Sequence, residues 1–195
     1  MRTSKIERVT KETNISAKLK IDGKGNSKIE CKIGFLTHML ETFARHGLFD
    51  LDMVIEGDLH VDQHHTVEDT GIVLGMAFKD ALKEKRGIKR AGFFIYPMDE
   101  VLAMCALDIS GRTFFKFDVK LNSKQLGDLQ CDLVEDFFSG FASALGINLH
   151  INIYYGRSDH HKVEAVFKAF AKSLKMACEI EERIKDEIPS TKGVL

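Results

Sequence analysis

The sequence contains one short pattern twice, "DQHHTVED" at residues 62–69 and "DHHKVEAV" at residues 159–166. Each copy has two adjacent histidines and, three residues later, a glutamate. The surroundings repeat as well, because residues 34–80 and residues 132–178 both show the order helix, Gly, strand, His-His, helix in their hydrophobic periodicity. We therefore predict an α+β fold built from an internally duplicated unit, with two pseudo-symmetric halves that each pack a β-sheet against helices.

Hydrophobic periodicity places the elements of this unit. Alternation predicts strands in "NISAKLKID" (14–22) and "INLHINIYY" (147–155), and further strands at residues 51–61, 92–97, 100–110 and 112–121. Helical stripes predict helices in "GFLTHMLETFARHG" (34–47) and "DLVEDFFSGFASALG" (132–146), and one helix after each histidine pair.

Composition limits the function classes. The 195 residues are 44% hydrophobic with a formal net charge of -1, which is typical of a globular protein and argues against a general binder of nucleic acid or anionic membranes. The four cysteines show no Cys-x-x-Cys spacing, and the start, "MRTSKIERVT", lacks the apolar stretch of a signal peptide. The longest apolar run, "VLAMCAL" (101–107), is too short to cross a membrane. We expect a soluble, cytoplasmic protein.

The repeated pattern supplies metal-binding groups. His64 and Glu68 are four residues apart on a predicted helix, so they share a face, and His160 and Glu164 repeat that spacing. Imidazole and carboxylate suit divalent Mn, Fe, Ni or Zn, and adjacent histidines diverge, so the two pairs could hold two metals. Alignment of Phe43 with Phe141 adds one residue from each preceding helix. The candidate ligands are His38, His64, His65, Glu68, Asp136, His160, His161 and Glu164.

The histidines could also have no metal-binding role, because a single histidine is usually a surface residue or a hydrogen-bonded core residue. Two pairs with glutamate at the same offset and in the same context favour a symmetric metal site over coincidence. His60 and His150 fall on predicted strands and could support the site or merely pack.

A second cue is anion chemistry. Arg90, Arg112 and the end "PSTKGVL" (189–195) place basic and hydroxyl groups in loops, where such groups can bind a phosphate. Each is weak alone, since an arginine in a turn is usually just solvated and a terminal segment could be disordered.

Motifs along essentially the whole chain resemble the imidazoleglycerol-phosphate dehydratase family of histidine biosynthesis. They are, in order, "RVTKETN" (8–14), "FLTHMLETFARHGLFDL" (35–51), "DQHHTVEDTGIVLG" (62–75), "MDEVLAMCALDISGR" (98–112), "DLVEDFF" (132–138), "HHKVEAVFKAFAKSL" (160–174) and "PSTKGVL" (189–195).

The resemblance implies an enzyme, a hydro-lyase that dehydrates D-erythro-1-(imidazol-4-yl)glycerol 3-phosphate to imidazole acetol phosphate. It implies two Mn(II) ions per active site, a metal-bound imidazolate intermediate, and a hollow 24-subunit homo-oligomer with active sites shared between neighbouring subunits. Under this interpretation residues 1–90 form a first α+β repeat, residues 91–188 a second, and residues 189–195 a C-terminal phosphate-binding tail of a single catalytic domain.

Carried over by position, the family's metal ligands fall on His38, His64, His65, Glu68, His160, His161 and Glu164. Glu12 is then a catalytic acid/base or substrate contact that reaches in from a neighbour, and Glu12 and Glu164 are the candidate general bases. The implied phosphate-binding residues are Arg90, Arg112, Lys168, Ser190 and Lys192.

The chain departs from the family pattern at two positions. Asp136 stands in "VEDFF" where the family often has a ligand histidine, so an oxygen ligand or a water would replace a nitrogen there. Thr37 stands where the family usually has an aspartate before the first ligand histidine, which would change how that ligand is oriented.

Two rival functions come from other classes. A dimetal phosphohydrolase would release inorganic phosphate from the same substrate. A metal-storage or assembly shell would bind metal without turnover.

Overall fold

The computed structural model describes residues 1–195, which form four α-helices and ten β-strands. The first half contains β1 (Thr3–Val9), β2 (Thr13–Lys20), β3 (Ser27–Cys31), α1 (Gly34–Gly47), β4 (Asp50–Gly57) and α2 (His64–Leu82). The second half contains β5 (Ala91–Met98), β6 (Val101–Asp108), β7 (Phe114–Asp118), β8 (Gln125–Leu126), β9 (Leu129–Gln130), α3 (Leu133–Leu145), β10 (Asn148–Tyr155) and α4 (Asp159–Cys178). A short 3-10 helix, Glu182–Ile184, follows.

The two large sheets share one topology. Their strand orders are β1-β2-β4-β3 and β5-β6-β10-β7, so each strand of the first has a counterpart in the second. In both, an antiparallel hairpin pairs with a third, antiparallel strand, and the fourth strand adds parallel to it. The second half also carries the small β8–β9 hairpin between β7 and α3. The prediction of an internally duplicated α+β unit is confirmed.

Strand alternation directs one face of each sheet inward. Ile15, Ala17 and Leu19 of β2 are buried, whereas Asn14 and Lys18 are exposed. Helix α2 packs against β1, β2 and β4, and α4 packs against β5, β6 and β10. The helices also pair across the halves, α1 with α4 and α2 with α3, so the helices lie between the two sheets.

Four phenylalanine rings, one from each helix, close a cycle at the centre of the core. Phe43 stacks on Phe170 with centroids 5.4 Å apart, and Phe170 meets Phe141 edge-on at 4.9 Å. Phe78 completes the cycle through Phe141 at 5.8 Å and Phe43 at 6.0 Å. All four are fully buried, and each pair adds roughly 0.5–1.5 kcal/mol beyond the burial of its area.

Helices α2 and α3 approach closely because glycines on each helix face the backbone of the other helix. A Cβ added at Gly71 would lie 2.1 Å from the carbonyl oxygen of Phe137, and one at Gly75 would lie 2.6 Å from that of Phe141. From the other side, a Cβ at Gly140 would lie 2.8 Å from the carbonyl oxygen of Glu68. The contact therefore fixes the first turns of α2 beside α3.

Periodicity correctly predicted helices α1 and α3, the helix after each histidine pair, and the strands β2, β4, β5, β6, β7 and β10. It missed β1, β3 and the two-residue strands β8 and β9. The pattern of β1 is weak because this strand lies at a sheet edge and its residues alternate only between exposed and half-buried. The predicted strand 51–61 ends early, at Gly57, so His60 lies in a turn.

None of the four helices combines the length and the apolar character that a membrane span requires. All four cysteines are free thiols; three are buried and Cys31 is half-buried.

The close approach of α2 and α3 predicts that Gly71→Ala lowers the free energy of unfolding by about 2 kcal/mol, because the added methyl overpacks the contact with Phe137. Chemical denaturation of the purified protein measures this. Gly34→Ala is the matched control, since its nearest neighbour would lie at 3.4 Å, an ordinary contact distance. Equal stability of the two variants would contradict the close packing of these helices.

Candidate metal and substrate site

Both histidine pairs lie in the first turn of a helix. The Asp62 carboxylate accepts a hydrogen bond from the His64 N–H at 2.8 Å, and the Ser158 hydroxyl accepts one from the His161 N–H at 3.4 Å. Such side-chain acceptors satisfy amides that have no partner within the helix. Adjacent residues on a helix point about 100° apart, so each pair directs its two imidazoles to different sides.

One histidine of the second pair joins a ligand set that spans the two halves. His38 on α1 meets His160 and Glu164 on α4, and we call these three residues the α1–α4 set. The Oε2 atom of Glu164 lies 3.3 Å from Nε2 of His160 and 3.8 Å from Nε2 of His38. Both imidazoles are about half exposed, whereas the Glu164 side chain is only 12% exposed. The set thus combines a largely buried carboxylate with two accessible imidazole nitrogens.

Lys168 holds the other oxygen of Glu164. Its Nζ forms an ion pair with Oε1 at 2.8 Å, and it lies 5.5 Å from the centre of the Tyr96 ring. Burial opposes ionisation of Glu164, but the Lys168 hydrogen bond and charge, with smaller contributions from His38 and His160, outweigh burial and lower the pKa of this carboxyl. Glu164 is therefore an anion with both oxygens engaged.

The first histidine pair contributes the pseudo-symmetric counterpart. His64 and Glu68 on α2 lie beside Asp136 on α3, and we call these residues the α2–α3 set. Glu68 Oε2 is 3.8 Å from Nε2 of His64, but Asp136 Oδ2 is 3.4 Å from its Nδ1. Asp136 faces the opposite side of the ring from Glu68, which is the position of a residue that orients an imidazole while Nε2 stays free.

The second histidine of each pair contacts a carboxylate through Nδ1. His65 Nδ1 lies 3.1 Å from Asp58, and His161 Nδ1 lies 2.9 Å from Glu100. These hydrogen bonds raise the pKa of both imidazoles above its ordinary value. In each case Nε2 faces a second carboxylate, Glu12 at 3.7 Å from His65 and Asp99 at 3.8 Å from His161.

The hairpin that carries Glu12 is fixed by a buried carboxylate. Asp69 forms an ion pair with Arg8 and accepts a hydrogen bond from the Thr13 hydroxyl at 2.5 Å, so it contacts both strands that flank Glu12. Glu12 itself is 53% exposed.

The donors fit a divalent metal of borderline hardness. Two ligands that each lie about 2.1 Å from one ion are about 3 to 4.2 Å apart, and both distances to Oε2 in the α1–α4 set fall in that range. In the α2–α3 set, Nε2 of His64 and Oε2 of Glu68 also do so. Such ions prefer imidazole nitrogen and carboxylate oxygen as ligands. A carboxylate beside Nδ1, as at His64, His65 and His161, is the usual partner that orients a metal-binding imidazole.

The candidate phosphate-binding residues divide into two groups. The Arg90 guanidinium pairs with both oxygens of Asp108, at 2.6 and 2.9 Å, and its Nη1 donates to the carbonyl of Pro189 at 3.0 Å. Gly111 packs against the backbone of Leu195, so residues 189–195 run from Arg90 to the loop that contains Arg112. These contacts place Arg90 and Arg112 near the C-terminal segment that contains Ser190 and Lys192.

Lys168 lies elsewhere. Its contacts, Tyr96 and Met98, stand at the far end of β5 from Arg90. Tyr96 lies six positions after Arg90 along an extended chain, which corresponds to about 20 Å between their backbones. The structure therefore does not bring Lys168 to the other phosphate candidates within one chain.

Three further carboxylates that the sequence did not indicate, Asp58, Asp99 and Glu100, contact His65 and His161. Asp99 and Glu100 form the β5–β6 turn, the counterpart of the β1–β2 turn with Glu12, so the duplication itself was a usable signal. Asp58 carried no such signal, because a single aspartate after a strand is common.

Comparison with known proteins identifies the family. The model of the family "Imidazoleglycerol-phosphate dehydratase" matches residues 31–174. Relatives of that name include the protein of Koribacter versatilis, 53% identical over 100% of both chains, and that of Lachnoclostridium phytofermentans, 52% identical over 100% of this chain and 98% of the relative.

Solved structures agree with the sequence comparisons. Imidazoleglycerol-phosphate dehydratase from Staphylococcus aureus superposes with a TM-score of 0.83 at 33% identity, covering 92% of this chain and 99% of that one. The Pyrococcus furiosus protein gives a TM-score of 0.81 at 32% identity, covering 97% of this chain and 100% of that one. With its duplicated fold and its two sets of imidazole and carboxylate, this chain belongs to the imidazoleglycerol-phosphate dehydratase family, the hydro-lyases of histidine biosynthesis.

Proposed function

We propose that the protein dehydrates D-erythro-1-(imidazol-4-yl)glycerol 3-phosphate to 3-(imidazol-4-yl)-2-oxopropyl phosphate and water. The observation that carries this proposal is the meeting of His38 with His160 and Glu164 across the two halves, together with its counterpart at His64 and Glu68. Two such sets suit the flat imidazole ring of the substrate, which has a nitrogen on each side. Membership of the family indicates that the reaction is a dehydration.

We propose two Mn(II) ions per active site as the resident metals. The α1–α4 set would hold one ion and His64 with Glu68 the other, while His65 and His161 would contribute through Nε2. Asp136 would then orient His64 rather than bind metal directly, because it lies against Nδ1. When bound, the ions would supply Lewis acidity that lets negative charge form on the substrate's imidazole ring.

A general base must remove a carbon-bound proton while the hydroxyl next to the ring leaves. Glu12 is the better candidate, because it is exposed and its Oε1 lies 3.7 Å from His65 without a lysine or arginine partner. Glu164 is the poorer candidate, since Lys168 lowers its pKa and a carboxylate of lower pKa is a weaker base. After proton loss and departure of water, the resulting enol becomes the ketone.

The phosphate would bind where residues 189–195 pass Arg90 and Arg112, with Ser190 and Lys192 completing the donors. Arg90 would act largely by holding the tail, because Asp108 already occupies two of its N–H groups. Binding energy from this remote group orients the reacting carbons.

We further propose a cytoplasmic 24-subunit assembly with active sites shared between neighbours. Support comes from Lys168, which lies at the opposite end of β5 from Arg90 within one chain. A phosphate that contacts both groups would require a second copy to supply one of them.

We expect His160→Ala to lower turnover at least about a hundredfold, because even residues that only orient a metal ligand contribute about tenfold to a hundredfold. It should also remove about one bound Mn(II) ion per chain, since it deletes one nitrogen of the α1–α4 set. Product is followed as the enolised ketone, with and without Mn(II) and chelator, and bound metal by elemental analysis. The matched control is His150→Ala, an exposed imidazole beside Phe114.

Full activity in His160→Ala would contradict the proposal. Release of inorganic phosphate from the same substrate would instead indicate a phosphohydrolase, and metal binding without turnover would indicate a storage shell.

Lys192→Ala should raise KM about tenfold while kcat and metal content change little, since it removes one charged donor to the phosphate. Steady-state kinetics measures this, with the exposed Lys185→Ala as the control. An unchanged KM would exclude Lys192 from the phosphate site.

Arg90→Lys should accelerate amide hydrogen exchange of Ser190 and Gly193 about fivefold, because lysine cannot bind Asp108 and the Pro189 carbonyl together. Exchange is read by mass spectrometry. Lys89→Gln, which removes only the surface pair with Glu179, is the control. Equal exchange in both variants would show that Arg90 does not hold the tail.

A further inference from the structure

Residues 120–130, which we call the strap, run from the end of β7 through the β8–β9 hairpin. The strap forms hydrogen bonds to the first residues of α1, to the residue before α2 and to the first turn of α4. These three helices carry all the candidate histidine ligands.

At α1, Asp128 of the strap supplies the helix cap. Its carboxylate accepts hydrogen bonds from the N–H groups of Gly34 at 2.6 Å and Phe35 at 2.9 Å. The helix lacks a cap of its own, because Ile33 has no side-chain acceptor and the first turn has no acidic residue. A residue 94 positions away therefore fixes the turn that leads to His38.

The cap also reaches the ligands through packing. The ring of Phe35 lies edge-on to His160, with centroids 5.2 Å apart, and 6.3 Å from the ring of His38. Asp128 thus fixes the position of Phe35 through its N–H group. The Phe35 ring in turn packs against both imidazoles of the α1–α4 set.

At α2, Gln63 immediately precedes His64 and binds the strap at two points. Its Nε2 donates to the Asp128 carbonyl at 2.6 Å, and its Oε1 accepts from the Gln130 N–H at 3.1 Å. The side-chain amide thereby pairs with two backbone groups of the hairpin. This contact fixes the start of the helix that presents His64 and His65.

At α4, Asp159 immediately precedes His160 and is buried. Its Oδ2 accepts from the N–H groups of Asn122 and Ser123, both at 2.7 Å, and its Oδ1 accepts from Lys162 Nζ at 2.8 Å. Lys162 also donates to the Lys120 carbonyl at 3.0 Å. These bonds tie the other end of the strap to the second histidine pair.

The strap is itself anchored, so it can serve as a fixed reference. Leu126 and Leu129 are buried in the core, and Gly127 between them adopts a φ of 59° that allows the tight two-residue turn. A positional error of about 1 Å at a ligand is costly, which makes a common attachment for three helix starts useful.

We propose that the strap sets the relative positions of the two ligand sets, with Asp128 and Gln63 acting as positioning residues for His38 and His64. The consequence for metal binding rests on the proposed function. The consequence for the helix starts does not, because it concerns the metal-free chain.

The test uses the full-length Asp128→Asn and Gln63→Ala variants. We expect Mn(II) affinity, measured by titration with paramagnetic resonance detection of free metal, to fall about tenfold to a hundredfold in each. In metal-free protein, amide exchange at His38 should rise at least about fivefold in Asp128→Asn, and at His64 in Gln63→Ala.

Asp50→Asn is the matched control for Asp128→Asn. Asp50, the first residue of β4, accepts from the N–H groups of Lys24 at 2.8 Å and Asn26 at 3.1 Å. It therefore makes the same kind of contact, but to the connection between β2 and β3. It should lose comparable stability and keep wild-type Mn(II) affinity and exchange at His38.

Unchanged exchange at His38 and His64 in the two variants would overturn the proposal. So would an equal loss of Mn(II) affinity in Asp50→Asn. If exchange at those amides is faster in the two variants but the wild-type protein binds no Mn(II), the role of the strap is supported. The metal part of the proposed function is then refuted.

Discussion

The pairing of helices across the two halves is the constraint on which the rest of the structure depends. Neither half alone contains the α1–α4 set, because His38 lies on α1 and its partners His160 and Glu164 lie on α4. The phenylalanine cycle of Phe43, Phe78, Phe141 and Phe170 joins all four helices and is fully buried. The helix packing that forms the core therefore also brings His38 to His160 and Glu164.

Duplication has preserved the backbone more closely than the electrostatics. Glu164 is 12% exposed and bound by Lys168, whereas its counterpart Glu68 is 42% exposed, and Ile72 stands where the alignment would place that lysine. His38 corresponds to Asp136, which replaces a nitrogen with a carboxylate on the other side of the imidazole. The two sets therefore differ in charge and in access to solvent, which would let them play different parts in one reaction.

Much of the fold could be predicted from sequence because its long elements are strongly periodic. The helix 34–47 was predicted at the bounds that the structure shows, and the repeated order of elements gave the duplicated architecture. Strand β1 was missed because "TSKIERV" places charged residues on an edge strand whose inner face is only half-buried. Local patterning cannot detect a strand of that kind.

The parts of the site that carry the repeated His-His pattern could be predicted from sequence. The parts that depend on contacts between distant residues could not. His64, His65, His160 and His161 were found from the duplication. Asp128 was not, because its role arises from a contact with α1 that is 94 residues away in sequence. Nor could sequence alone show that Asp136 faces Nδ1 of His64, since that depends on how closely Gly71 lets α2 approach α3.

Anomalous diffraction at the manganese edge, from crystals grown with Mn(II), tests the central claim most directly. We expect two anomalous peaks for each chain, one beside Nε2 of His160 and one beside Nε2 of His64. A single peak, or peaks remote from both nitrogens, would contradict it.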